Sequence, residues 1–193
     1  MRAEQVIEKF KTTGALLEGH FILSSGLHST AYLQCALVLQ FPSEAEQIAR
    51  AIAESYSAQD IQLVASPAIG GIVIGHEVAR ALGARFIWTE RQDGEMTLRR
   101  GFTVSPGEKT LVVEDVITTG GSTRETIAAL QRAGATVVGA ASIIDRSSGV
   151  AEVGVPRTAL ATLSVPSVEP SLCELCKRGD QAIKPGSRKQ VSD

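Results

Sequence analysis

Two adjacent carboxylates, Glu114 and Asp115, close the apolar run Leu111-Val112-Val113. A turn rich in Thr and Gly follows, Val116-Ile117-Thr118-Thr119-Gly120-Gly121-Ser122-Thr123, and then a helical pattern begins. That order describes a strand whose carboxyl end opens into a loop at a helix N-terminus. The first N–H groups of a helix have no intrahelical partner and point at one spot, so such a loop favours an anion, phosphate above all. Glycine permits close backbone approach, and the hydroxyls of Thr118, Thr119, Ser122 and Thr123 add donors. The two acids would repel a phosphate placed beside them, so they must face sugar hydroxyls, a metal, or both. Two other phosphate-binding patterns are excluded. No Gly-Lys-Ser/Thr is present, and no G-x-G-x-x-G opens a helix after this strand.

The elements that must position these groups alternate. Apolar Val6, Ile7 and Phe10 predict a short amphipathic helix over 4–12, and the mixed stretch 19–33 reads as a strand or hairpin around Ser24-Ser25-Gly26. Ser43 is the expected N-cap of a helix over 44–56. Strands are then expected at 61–65, 85–88, 111–114, 136–144 and 158–163. Helices are expected at 72–82, closed by Gly83, and at 122–133, closed by Gly134. Alternation of this kind predicts an α/β fold, a mainly parallel central sheet flanked by helices on both faces. Ligands bind such a sheet outside the carboxyl ends of its strands. Three loops fall there: 66–71 (Ser66-Pro67-Ala68-Ile69-Gly70-Gly71), the polar segment 89–101, and 116–123.

A chain of 193 residues suits one domain with a sizeable core. A net charge of −2 gives no basic footprint for nucleic acid, and no apolar run reaches the length of a membrane span. The N-terminus lacks the apolar core of a signal peptide, so a cytoplasmic location is expected. Three cysteines, an odd count, argue against a disulfide framework. Cys173-x-x-Cys176 is at most half of a zinc site, because no second pair or paired histidine follows it. It reads as reduced thiols in a C-terminal loop, with a zinc knuckle completed by another subunit as the alternative. No metal ligand is assigned. Cys35 reads as a buried, inert thiol.

The thirteen positions 111–123 resemble the signature of the type I phosphoribosyltransferases, which bind 5-phosphoribosyl-1-pyrophosphate (PRPP). The resemblance implies that fold, with a small hood from about 1–40, possibly with part of 165–193, over a core of about 43–164. It implies that Glu114 and Asp115 hold the ribose hydroxyls, and that Val116, Ile117, Thr118, Thr119, Gly120, Gly121 and Ser122 cradle the 5′-phosphate. Ala68, Ile69, Gly70 and Gly71 match the loop that holds pyrophosphate. The segment 89–101 matches a mobile lid whose Arg91, Arg99 and Arg100 offset charge on the leaving group, Arg91 foremost.

Further segments resemble the orotate-specific branch of that family. They are Gly19-His20-Phe21-Ile22-Leu23-Ser24-Ser25-Gly26 with Tyr32, Glu90-Arg91-x-Asp93-Gly94 with Leu98-Arg99-Arg100-Gly101-Phe102, Ile144-Asp145-Arg146, and Cys173-x-x-Cys176 with Lys184-Pro185-Gly186-Ser187-Arg188. The implied reaction joins orotate to PRPP. Arg146 then holds the orotate carboxylate, with Thr118 and the backbone of Ser25 and Gly26 on the base. Mg2+ arrives on PRPP's own oxygens, and a homodimer shares its lids across the interface. Three departures stand out. The lid has neither the lysines nor the histidine of better-known members, Ser24 stands where they have Lys, and Ile69-Gly70 stands where they have Tyr-Lys. Among the histidines, His76 falls in a helix and reads as structural, while His28, more than His20, is the candidate acid or base. The rivals are a purine phosphoribosyltransferase and a PRPP-sensing regulator that binds nucleic acid.

Overall fold

Three runs of this chain are apolar on both sides of the strand, so they need cover on both faces. They are β3 (Leu63–Pro67), β6 (Lys109–Ile117) and β7 (Thr136–Asp145), and they sit at the centre of a six-stranded sheet. A computed structural model describes residues 1–23 and 26–185 of the chain. The sheet runs β5-β4-β3-β6-β7-β8, with β4 at Arg85–Gln92, β5 at Glu95–Leu98 and β8 at Arg157–Thr162. Every neighbouring pair is parallel except β4 with β5. Alternation along the strands assigns the faces. Val64, Leu111 and Val113 join one core with Val6 and Phe10 of α1 (Ala3–Thr12), Ile48 and Ile52 of α3 (Pro42–Glu54), and Ile74 and Val78 of α4 (Gly71–Leu82). Leu63, Ala65 and Val112 point the other way, onto Ile127 and Leu130 of α5 (Gly121–Arg132). The expected fold class is what the structure has.

The second sheet is small. β1 (Leu16–Ile22) and β2 (His28–Leu33) form an antiparallel hairpin, and β9 (Ser167–Val168) adds to β2 from the far end of the chain. Ile183 then bridges to Phe21, with Ile183 N–H donating to the His20 carbonyl and Ile22 N–H to the Ile183 carbonyl. The hood is therefore built from both chain ends. The short α2 (Ala36–Leu39) links it to α3.

One expectation is corrected. The helix expected at 44–56 starts earlier, because Pro42 occupies its first turn, where a missing N–H costs nothing; Phe41, not Ser43, is the N-cap. The segment 89–101, expected as a polar lid, is largely a hairpin. β4 continues to Gln92 and turns back through Asp93-Gly94, both with positive φ, and β5 pairs with it from Thr89↔Leu98 to Gln92↔Glu95. A two-residue turn of that kind matches the twist of a hairpin. Met96 buries its side chain in this hairpin, which packs beside α5.

Tyr56 joins the helical layer to the sheet. Its hydroxyl donates to the Ala140 carbonyl at 2.8 Å and lies 3.1 Å from Thr158 Oγ1. Burial pushes its phenol pKa up. Tyr56→Phe is expected to cost about 1–2 kcal/mol in urea unfolding, because a buried carbonyl loses a donor. An unchanged midpoint would show that the sheet satisfies Ala140 by itself.

Candidate active site

β6 delivers Glu114 and Asp115 to its carboxyl end, and after three intervening residues, Thr118 to Gly120, Gly121 starts α5. No side chain caps this helix and no acid lies in its first turn, so its N–H dipoles face outward uncompensated. Gly120 makes the junction possible. Its φ is 73°, and a Cβ there would stand 2.8 Å from Val153 Cγ1. Arg124 reaches back along the helix, and its Nη1 donates to the carbonyls of Thr119 (2.9 Å) and Glu152 (2.7 Å), which braces the loop. Ile117 is buried, so only its backbone serves the site; its carbonyl accepts from Arg146 N–H at 2.7 Å.

The acids are kept from repelling an anion by burial. Desolvation pushes the Glu114 carboxyl from its ordinary 4.5 to about 7, against the hydrogen bond that the Thr123 hydroxyl donates to it, and the Asp115 charge adds to the rise. Asp115 is also raised by burial, although Val116 N–H donates to it at 2.9 Å. Burial, and then the Asp115 charge, push the neighbouring Cys35 thiol well up, so this cysteine is an inert wall. On the other side Gly70 comes so close that a methyl on it would lie 2.7 Å from Asp115 Oδ2. The loop Ala68-Ile69-Gly70-Gly71 is thus placed against the acids. Gly71 is equally confined, by Ser66 and the Val113 carbonyl.

A cleft of about 590 Å³ opens beside this junction. Asp115, Val116, Thr118 and Thr119 form its floor, and Leu23, Leu27, Tyr32 and Leu33 of the hood form its roof. Ser167 and Arg146 complete the wall. Arg146 follows the last residue of β7. Its neighbour Asp145 is fully engaged elsewhere, accepting from Ser147 N–H (2.7 Å) and Oγ (2.6 Å), Gly149 N–H (2.9 Å) and Arg157 Nη1 (3.0 Å). Burial alone would raise the Asp145 carboxyl, but these four donors hold it below its ordinary range. Arg146 is therefore not the partner of Asp145. Its Nε is buried without a hydrogen bond among the described residues, and desolvation lowers its pKa from 12.5. A half-buried guanidinium in the cleft wall, in no ion pair among the described residues, fits a planar carboxylate.

Other expected residues lie elsewhere. Arg91 pairs with Glu125 and donates to the Gly94 carbonyl, while Arg99 and Arg100 pair with Glu90, with Arg100 also 5.9 Å from the Trp88 ring centroid. None of the three lines the cleft. Gly26 sits in the β1–β2 turn; Ser24 and Ser25 lie outside the described residues, as do Gly186, Ser187 and Arg188. His28 is not in the cleft. It faces His20 and Cys176 on the other side of the hood. His76 is exposed beside Glu77. Sequence reasoning missed Arg124 as the loop brace, although its place in the first turn after a glycine-rich loop puts it within reach of the loop carbonyls. It also missed Ser167, which arrives only through β9.

Residues 38–158 match the sequence profile of the phosphoribosyl transferase domain. Orotate phosphoribosyltransferase from Pelotomaculum thermopropionicum is 51% identical over 189 residues, 98% of this chain and 100% of that protein. The same enzyme from Caldicellulosiruptor saccharolyticus is 51% identical over 189 residues, 98% of this chain and 99% of that one. The crystal structure of orotate phosphoribosyltransferase from Aeropyrum pernix is similar to this fold with a TM-score of 0.66 at 28% identity, covering 82% of this chain and 93% of that chain.

The raised Glu114 pKa sets a pH dependence. A carboxyl that titrates near 7 when folded, against 4.5 ordinarily, takes up a proton on folding between those values. Its contribution is complete below the lower value and is lost as pH rises through the upper one. The thermal midpoint of the ligand-free protein should therefore fall between about pH 5 and 7. In Glu114→Gln, which stays neutral, that part of the slope should flatten in calorimetry. An identical slope in the variant would assign the dependence to other groups.

Proposed function

Because the chain belongs to the orotate phosphoribosyltransferase family, we propose that it transfers the 5-phosphoribosyl group of PRPP to orotate. The products are orotidine 5′-phosphate and pyrophosphate, in pyrimidine biosynthesis. The observation that carries the base preference is Arg146, a half-buried cation in the cleft whose Nε has no hydrogen bond among the described residues. Residues 1–193 act as one catalytic unit with a hood, in the cytoplasm. Among the described residues no helix is long and apolar enough to cross a membrane.

The chemistry follows the placement of charge. The N–H groups of 118–122 at the start of α5 take the 5′-phosphate. Asp115 and Glu114 accept from the ribose hydroxyls, and their partial charge supports the cationic character that grows at C1 as its bond to pyrophosphate breaks. The loop Ala68–Gly71, packed against Asp115, receives the departing pyrophosphate through its backbone. Arg146 grips the orotate carboxylate. Thr118, with the backbone of Gly26 and Ser25, orients the ring so that its nitrogen meets C1 as pyrophosphate leaves. Hood residues Leu23, Leu27 and Tyr32 exclude water from that step. The cleft offers the Asp115 carboxylate together with the hydroxyls of Thr118 and Thr119. That suits magnesium carried by PRPP oxygens with Asp115 at hand, neutralising the leaving group when bound.

Arg91 on β4, and Arg99 and Arg100 just past the end of β5, do not line the cleft of their own subunit. In a homodimer they serve the neighbouring site, where they stabilise pyrophosphate. Mixing Arg91→Ala with Asp115→Asn subunits should then regain part of the activity that each variant lacks. No recovery after subunit exchange would place the arginines in cis.

Orotate absorbance with purified protein, magnesium and PRPP tests the reaction; the signal should fall only when PRPP is present. Arg146→Ala should raise the KM for orotate roughly 10- to 100-fold, the loss of one charge-assisted contact, with the KM for PRPP little changed. A larger effect on PRPP than on orotate would move Arg146 to the phosphate side. Turnover of a purine base instead of orotate would end the substrate assignment.

A further inference from the structure

His20 and Cys176 are 156 residues apart in sequence, yet His20, His28, Cys173 and Cys176 bring their ligand-capable atoms within 4.8 Å of one another. The hairpin supplies the histidines. Ile22 stands opposite His28, so His20, two residues earlier, is the diagonal neighbour of His28 on the same face. The C-terminal segment supplies the thiols. Cys173 is the N-cap of α6 (Glu174–Lys177), and Cys176 follows three residues later.

The spacing is close to that of a four-coordinate centre, with the two histidine nitrogens drawn together into a hydrogen bond. His20 Nε2 lies 2.8 Å from His28 Nδ1, Cys173 Sγ lies 3.3 Å from His20 Nε2, and Cys176 Sγ lies 3.7 Å from His20 Nε2 and 3.2 Å from His28 Nδ1. A tetrahedral zinc, with Zn–N about 2.0 Å and Zn–S about 2.3 Å, spaces its ligand atoms roughly 3.3–3.8 Å apart. The tautomer also fits. His20 Nδ1 donates to the Asp180 carbonyl at 3.0 Å, so its Nε2 presents a lone pair to the cluster. A histidine ligand fixed by a backbone carbonyl is the usual outer support of a metal site. His20, His28 and Cys173 are buried and Cys176 is half-buried.

We propose that these four residues form a structural Cys2His2 zinc site that ties the C-terminal segment to the hood hairpin. Two thiolates balance the divalent charge, and four protein ligands leave no open position for chemistry. The hood needs such a tie. β9 has two residues, α6 has four, and the cysteines are free of disulfides, so the segment has little apolar surface with which to hold itself down. The inference stands apart from the choice of substrate, since no member of the cluster lines the cleft beneath the hood.

The test is metal analysis of the untagged full chain, purified under reducing conditions and dialysed free of loose metal. About one zinc per chain is expected. Exchange for Co2+ should give the visible absorption of a tetrahedral site together with a thiolate-to-cobalt charge-transfer band. Cys176→Ser and His28→Ala should lose zinc, His76→Ala should keep it, and a chelator should lower the thermal midpoint of the parent chain but not that of Cys176→Ser. If Cys176→Ser does not fold, the cobalt spectrum of the parent decides, since only cysteine ligands give the charge-transfer band. Metal-free protein with reduced thiols, iron in place of zinc, or a cobalt spectrum without that band would overturn the site.

Discussion

Unpaired N–H groups at the start of α5 draw negative charge toward 118–121, while Glu114 and Asp115, a few residues upstream, push it away. Both effects come from one strand–loop–helix junction. They coexist because the acids are partly desolvated: a carboxyl that titrates near 7 carries less charge at neutral pH than an exposed one would. Thr123 holds Glu114, and Gly70 leaves Asp115 just enough room. Most of the remaining fold serves this junction. The parallel pairs β3–β6 and β6–β7 bring the loop Ala68–Gly71 and Arg146 to the same edge, and the helices on each face keep the strands from slipping.

Cations in this protein come in two kinds. Arg146 is half-buried and in no ion pair among the described residues, so its field acts on whatever enters the cleft. Arg91, Arg99 and Arg100 are exposed and already paired on the β4–β5 hairpin. Exposed pairs are screened and contribute little, so such arginines can exchange partners at small cost.

What was legible in the sequence was contiguous. The acids, the Thr/Gly loop and the helix start occupy thirteen successive positions, and their chemistry requires no distant partner. The strand-end place of Arg146 was legible too. Its isolation was not, because Asp145 is taken by Arg157 from the next strand. Polar composition hid the β4–β5 hairpin, although Asp93-Gly94 carried the turn signal and Met96 the buried position. The cluster of cysteines and histidines was hidden by direction. Ligand spacings are sought after a C-x-x-C pair, whereas these histidines precede it by about 150 residues and meet it through the bridge of Ile183 to Phe21.

That bridge has a consequence for how the protein is made. The hairpin leaves the ribosome well before its partners β9, Cys173, Cys176 and Ile183. At about 5–20 residues per second, the hairpin waits on the order of ten seconds for its partners. Over that interval the parallel sheet can assemble while the roof of the cleft stays incomplete. A chain cut before residue 167 would lack β9, the third strand of the hood, and Ser167 of the cleft wall. Synthesis thus orders the strands of the small sheet in time.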